Sequence, residues 1–126
     1  MNESKANLVG VDLFAGAGGM SLGARLAGID VTLAVEIDKH PAATYARNHP
    51  ETRLIIDSVK NVHRIDVPRK NKMAVLFGGP PCQGFSTSNQ RTRSRENPTN
   101  WLFKEFVRIV RLWEPDWVVF DWTFRD

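Results

Sequence analysis

The sequence predicts an α/β chain built on a doubly wound parallel sheet of about five strands. Three observations predict it. Short apolar runs alternate with segments of helical periodicity, the order that a parallel sheet with crossover helices requires. A glycine-rich turn, Ala15 to Gly19, joins the first run to the first helical segment. The second and third runs each end in an acid, Glu36 and Asp57.

The elements follow in order. Leu8 to Phe14 is an apolar run read as the first strand. Met20 to Ala27 has helical spacing, and Gly28 is placed to terminate it. Asp30 to Glu36 reads as the second strand, around Val31-Thr32-Leu33-Ala34-Val35. Pro41 to Asn48 is a helix with proline in its first turn. Arg53 to Asp57 is the third strand, and Ser58 to Ile65 a short helix. Met73 to Phe77 is a continuous apolar run, the mark of a strand buried on both faces. Thr87 to Thr99 is polar and aperiodic, and reads as a long loop. Asn100 to Trp113 carries the widest apolar stripe in the chain and is read as its best helix, closed by Pro115. Trp117 to Phe120 is the fifth strand.

At 126 residues, 42% hydrophobic and 25% charged, the chain is globular and holds one domain at most. Its single cysteine excludes an internal disulfide and any multi-cysteine zinc site. His40, His49 and His63 are scattered without ligand spacing and read as surface or capping residues, so no metal is expected. The first residues are polar with no secretion signal, and no stretch approaches a membrane span. These features predict a reduced, cytoplasmic protein. The net charge of +3 points weakly to a polyanionic partner. Arg91, Arg93 and Arg95 cluster just after the cysteine, whereas Lys60, Arg64, Arg69, Lys70 and Lys72 form a looser group that a solvated face explains equally well.

That cysteine, Cys82, lies in Gly78-Gly79-Pro80-Pro81-Cys82-Gln83-Gly84-Phe85-Ser86, directly after the fourth strand. The carboxyl ends of strands are where open α/β sheets bind ligands. Two prolines restrict the backbone before the thiol, and the glycines allow close approach. The pattern presents a thiol able to act as a nucleophile. A small buried residue fits the position as well, because free cysteine is usually that.

The glycines of Phe14-Ala15-Gly16-Ala17-Gly18-Gly19 let a nucleotide approach the backbone. Glu36, twenty residues beyond Gly16, has the spacing of a carboxylate that accepts from ribose hydroxyls, and Asp57 is placed to accept from an adenine amino group. Glycine turns and strand-end acids also occur for structural reasons alone. Together at one sheet edge they favour an adenosine-type cofactor. Ser21 stands where a dinucleotide fingerprint wants its third glycine, which counts against a nicotinamide dehydrogenase.

Taken together, these motifs resemble the C5-cytosine DNA methyltransferases. Asp12 to Gly19 is similar to that family's first motif, Glu36-Ile37-Asp38 to its second and Asp57-Ser58 to its third. Gly79 to Ser86 resembles the catalytic motif, and the stretch Asn97 to Val110, with Trp101-Leu102-Phe103, resembles the fifth. The resemblance implies the Rossmann-like fold of S-adenosylmethionine-dependent methyltransferases, with residues 1–126 as the amino-terminal part of a catalytic domain. It implies S-adenosylmethionine as methyl donor, held by Phe14, Gly16, Gly18, Gly19, Glu36, Ile37, Asp57, Ser58, Pro80 and Leu102. It implies a cytosine flipped out of duplex DNA, with Cys82 as nucleophile and Gln83, Ser86, Arg91, Arg93 and Arg95 at the DNA.

The sequence departs from the family at its end. Where the sixth motif has Glu-Asn-Val, Phe120 is followed by Asp121-Trp122-Thr123, which puts Asp121 at the place of the catalytic acid, one methylene short. The chain stops at Asp126, before the target-recognition region, so the sheet is expected to be incomplete at the C-terminus and the fifth strand to form an exposed edge. Two readings result. One is a catalytic portion that works with a second polypeptide carrying the missing motifs. The other is an inactive, frameshifted remnant that at most binds cofactor or a partner chain.

Overall fold

A computed structural model describes residues 7–80 and 98–121 of the chain. Five strands, β1 (Leu8–Leu13), β2 (Ile29–Val35), β3 (Arg53–Ile55), β4 (Met73–Gly78) and β5 (Trp117–Phe120), form one sheet in the order β3-β2-β1-β4-β5. Every pairing is parallel. The helices are α1 (Gly19–Leu26), α2 (Lys39–Asn48) and α3 (Pro98–Trp113). β1 lies at the centre, where the strand order reverses, and open α/β sheets bind ligands beyond the strand ends at that point.

Strand alternation sorts the side chains into two layers. Val9, Val11 and Leu13 of β1 face one side, with Leu33, Val35, Ala74 and Leu76, and are covered by Phe106, Ile109 and Trp113 of α3. The opposite face carries Val31, Val75 and Phe77 against Met20 and Ala24 of α1, and Ala34 against Tyr45 of α2. Both faces are therefore covered, as a parallel sheet requires. Thr32 is an extra residue in β2, where Gly10 aligns with Val31 and Val11 with Leu33. Its hydroxyl donates to the Gly10 carbonyl at 3.3 Å.

The helices depart from their sequence boundaries for identifiable reasons. α2 starts two residues early because Asp38 caps it, accepting from the His40 N–H at 3.0 Å. α3 takes in residues 98 and 99 of the expected loop, with Pro98 at a first-turn position that tolerates it; residues 87–97 of that loop lie outside the described residues. The short helix expected over residues 58–65 is a correction: only a single 3-10 turn forms, Val59–Asn61. Arg108 of α3 donates to the carbonyls of Val59 and Val62, both at 2.8 Å, and so competes for the acceptors that a continuing helix would use.

The looser basic group is partly committed inside the fold. Arg69 donates to the carbonyls of Trp113 and Glu114, closing the end of α3, and its guanidinium lies 5.1 Å from the Trp113 ring. Arg64 pairs with Asp66 at 3.0 Å, and Lys60 sits 4.0 Å over the Trp101 ring. β5 forms one sheet edge, with Trp117, Val118 and Val119 exposed, while Phe120 packs edge-on against Phe103 and Phe106. Among the described residues no helix is long and apolar enough to cross a membrane.

Two glycines should respond oppositely to alanine. A Cβ at Gly78 would stand 2.2 Å from the Leu13 carbonyl oxygen, whereas one at Gly23, inside α1, would meet nothing within 4 Å. Chemical denaturation should show Gly78→Ala losing about 2 kcal/mol or more through overpacking, and Gly23→Ala gaining roughly 0.5–1 kcal/mol from helix propensity.

Candidate functional site

The turn after β1 is unusually bent. Phe14 (φ 57°), Gly16 (φ 57°) and Gly18 (φ 98°) all occupy left-handed backbone, which a bulky residue such as Phe14 rarely adopts. The turn is anchored on β2: Ala15 N–H donates to the Val35 carbonyl at 3.0 Å, and Gly16 N–H donates to Glu36 Oε1 at 2.7 Å. The other Glu36 oxygen accepts from Asp38 N–H at 2.8 Å. Glu36 backbone groups in turn bond to Ile55 and Asp57, at 3.0 and 3.2 Å. One carboxylate thus ties together the ends of β1 and β2 and the start of α2, and its backbone adds the end of β3.

These strand ends enclose a cleft of about 170 Å³ lined by Phe14, Val35, Glu36, Ile37, Asp57, Ser58, Val59, Gly79 and Leu102. Six of the residues singled out as cofactor-binding in the sequence are on that wall: Phe14, Glu36, Ile37, Asp57, Ser58 and Leu102. Its character is apolar with two carboxylates, the pattern of a site that orients a flat apolar ligand by a few polar groups. Asp57 Oδ1 accepts from Asn61 Nδ2 at 2.8 Å and from Ser58 N–H at 2.6 Å. Those two bonds, the Asn61 one foremost, hold its carboxyl below the usual carboxylate range. A larger open depression of about 560 Å³ lies by Leu8, Ile29 and Thr52, towards the amino ends of β1 and β2 and away from the strand ends where such sheets bind ligands.

The remaining candidates fall elsewhere. Gly18 and Gly19 are the cap and first residue of α1. Gly18 is packed so tightly that a Cβ there would stand 2.5 Å from His49 Nε2. Pro80 is buried just beyond Gly79 and is not among the lining residues. Asp121 is exposed at the end of β5, its N–H donating to the Gly78 carbonyl at 2.9 Å, and its side chain flanks Gly79. Cys82, Gln83, Ser86, Arg91, Arg93 and Arg95 lie outside the described residues. Among the described residues no group of three or more His, Cys, Asp or Glu could hold a metal ion.

Two amides of the glycine turn are already bonded. Gly16 N–H is taken by Glu36, and Gly18 N–H by the Ala15 carbonyl at 3.0 Å. Two carboxylates on the cleft wall also repel an anion. The arrangement suits hydrogen-bond donors, such as hydroxyl and amino groups, and disfavours a pyrophosphate.

Behind the turn lies polar machinery that sequence reasoning missed. Asp12 and Ser21, both fully buried, are joined by a 2.6 Å bond in which the hydroxyl donates; Ser21 Oγ is 2.7 Å from Tyr45 OH. With the serine hydrogen on the carboxylate, the tyrosine must be the donor to serine. Ser21, noted in the sequence only as a missing glycine, is the middle of this relay. His49 is a correction in part: it caps the end of α2, yet its ring is buried. Arg25 can only donate, so His49 Nδ1 accepts from Arg25 Nη1 at 3.0 Å, and Nε2 carries the proton given to the Gly18 carbonyl at 3.0 Å. No motif marks these partners, because buried pairs between α1 and α2 have no fixed sequence spacing.

Residues 8–121 match the family described as C-5 cytosine-specific DNA methylase. The Type II methyltransferase M1.HphI of Haemophilus parahaemolyticus is 40% identical over 119 residues, 91% of this chain and 32% of that relative. The Type II methyltransferase M.HgiGI of Herpetosiphon aurantiacus is 36% identical over 113 residues, 88% of this chain and 86% of the relative. An Escherichia coli structure encoded within a prophage, described as a DNA modification methyltransferase, has a TM-score of 0.74 at 34% identity and covers 93% of this chain and 32% of that one. The chain therefore spans about a third of M1.HphI and of the solved protein, and most of M.HgiGI.

Burial, partly offset by the Ser21 bond and reinforced by the Glu36 charge, raises Asp12 from 3.8 to about 7. The folded state then holds a proton that the unfolded chain has released between about pH 4 and 7. Stability from this group falls as pH rises through that window, by at most about 1.4 kcal/mol per pH unit. Urea denaturation at pH 5 and pH 7.5 should show Asp12→Asn losing that slope relative to the parent chain. Parallel pH profiles would exclude the assignment.

Proposed function

Because the chain belongs to the C-5 cytosine-specific DNA methylase family, we propose that it transfers a methyl group from S-adenosylmethionine to carbon 5 of cytosine in DNA, through a covalent bond to Cys82. The observation that carries this reading is the convergence of Glu36 and Asp57 with Phe14, Ile37 and Leu102 in one cleft, at the strand ends from which the Cys82 segment departs. An adenosine fits that chemistry. Its ribose hydroxyls donate to Glu36, whose two oxygens each keep a lone pair beyond their backbone bonds. Its amino group donates to Asp57 Oδ2, and its ring lies among Phe14, Ile37 and Leu102. Ser58 borders the ring, Pro80 backs the cleft behind Gly79, and Gly16, Gly18 and Gly19 shape the turn and the α1 amino end, where a carboxylate is favoured. The two carboxylates on the cleft wall support this nucleoside over a dinucleotide.

S-adenosylmethionine supplies an electrophilic methyl on a sulfonium. Cys82 supplies the nucleophile that makes cytosine reactive enough to take it. The thiolate adds to carbon 6, and the electron pair moves to carbon 5 while an acid protonates N3. Asp121, flanking Gly79, is the candidate acid. Carbon 5 takes the methyl as the S–CH3 bond breaks and S-adenosylhomocysteine departs. N3 returns its proton to the acid, a base removes the carbon 5 proton, and that electron pair re-forms the 5,6 double bond and expels the Cys82 thiolate. Free cysteine has a pKa of about 8.5, so the site must enrich the thiolate. The base must leave the duplex at a cost of a few kcal/mol, which contacts from Gln83, Ser86 and the Arg91, Arg93 and Arg95 cluster to the DNA offset.

The exposed apolar edge of β5 favours action with a complementing chain that pairs there. Duplex DNA carrying 5-fluorocytosine blocks proton removal and traps the adduct. Mass spectrometry with methyl donor present should find DNA bound to Cys82 when a polypeptide supplying the relatives' remaining length is added, and none with Cys82→Ser. No adduct with or without the added chain would overturn the catalytic reading in favour of a remnant that binds only cofactor or partner.

A further inference from the structure

We propose that Arg108 is a positioning residue that sets the adenine-reading edge of the cleft. Each of its three guanidinium nitrogens makes a bond. Nε donates to Glu105 Oε1 at 2.9 Å on its own helix, Nη1 to the Val62 carbonyl and Nη2 to the Val59 carbonyl, both at 2.8 Å. A planar fork bonded on all sides has one orientation. It therefore fixes the 3-10 turn at a set distance from α3. Both objects it joins are cleft walls: Val59 and Ser58 lie on the turn, and Leu102 lies on α3.

The turn in turn fixes Asp57. Oδ1 is held by Ser58 N–H and by Asn61 Nδ2, and Ser58 Oγ accepts from Lys60 N–H at 3.2 Å. With Oδ1 committed to the turn, the direction of Oδ2 follows from where the turn sits. The side chains of Val59 and Val62 reach the core beside Phe106 and Ile109, so the turn is seated from below by packing and from the side by Arg108. Lys60 also reaches α3 on that flank, 4.0 Å over the exposed Trp101 ring. Arg108 touches no ligand in this scheme. It acts through Asp57, and the proposal rests on the reading of the cleft as an adenosine site.

Arg108→Lys keeps the charge but cannot bridge two carbonyls and Glu105 together. Two measurements test the proposal, each after thermal melting confirms a folded variant. The first is titration with S-adenosylhomocysteine and its hypoxanthine analogue, which replaces the amino donor by an acceptor. The parent chain should prefer adenine by about tenfold or more, the worth of one bond to a charged acceptor, and Arg108→Lys should lose most of that preference. The second needs no ligand: the carboxyl 13C titration of Asp57, whose midpoint should rise in Arg108→Lys and in Asn61→Ala as the bonds that lower it loosen. A folded Arg108→Lys with preference and midpoint unchanged overturns the proposal. A parent chain without adenine preference overturns the adenosine reading instead, and the Asp57 titration still decides Arg108. If Arg108→Lys does not fold, Glu105→Ala, which removes only the Nε anchor, should show both changes in smaller measure; no change in either overturns the proposal.

Discussion

The site depends on one carboxylate bonded to backbone amides. Glu36 receives Gly16 N–H at 2.7 Å and Asp38 N–H at 2.8 Å. A strained turn with Phe14 in left-handed backbone costs on the order of 1–3 kcal/mol and persists only where its surroundings over-determine it. Glu36 supplies that constraint from β2, and Ala15 adds a second bond to the same strand. The same bonds occupy the Ala15 and Gly16 amides, and Glu36 thereby braces the glycine turn against the wall of the carboxyl-end cleft. A charged acceptor makes stronger hydrogen bonds than a carbonyl, which is why a strand-end acid performs this task.

A second set of polar contacts supports the turn from behind. The Asp12–Ser21–Tyr45 relay joins β1, α1 and α2 through buried groups, and the buried His49 ring links the exposed Arg25 of α1 to the Gly18 carbonyl. Buried polar groups are costly unless satisfied, and these have partners along each chain. An apolar core at the same place would leave the Gly18 carbonyl with the Leu22 N–H alone. The raised pKa of Asp12 shows the cost of keeping a carboxylate in that layer. The opposite face, under α3, is apolar throughout and carries the packing.

Much of this architecture was legible in the sequence because it rests on local periodicity. The five strands, the three helices and the acids at the ends of β2 and β3 each announce themselves within a dozen residues. The cleft was legible for a different reason: strand-end residues of a parallel sheet converge on one side, so naming Phe14, Glu36, Ile37 and Asp57 was equivalent to naming neighbours. The 3-10 turn was not legible, since nothing within residues 58–65 tells that Arg108, nearly fifty residues on, takes their carbonyls. His49 caps α2 as one of its two readings had it, but its burial was not legible because that depends on Gly18, thirty-one residues away. Long-range contacts of that kind leave no periodic trace.

On the reading proposed above, the carboxyl-end cleft takes a phosphate-free nucleoside held by Glu36. Calorimetric titration of the chain with S-adenosylhomocysteine and, separately, with ADP addresses it directly. The account predicts binding of the first, weakened by about tenfold or more in Glu36→Ala, and negligible binding of the second. Tighter binding of ADP, or S-adenosylhomocysteine binding untouched by Glu36→Ala, would contradict it.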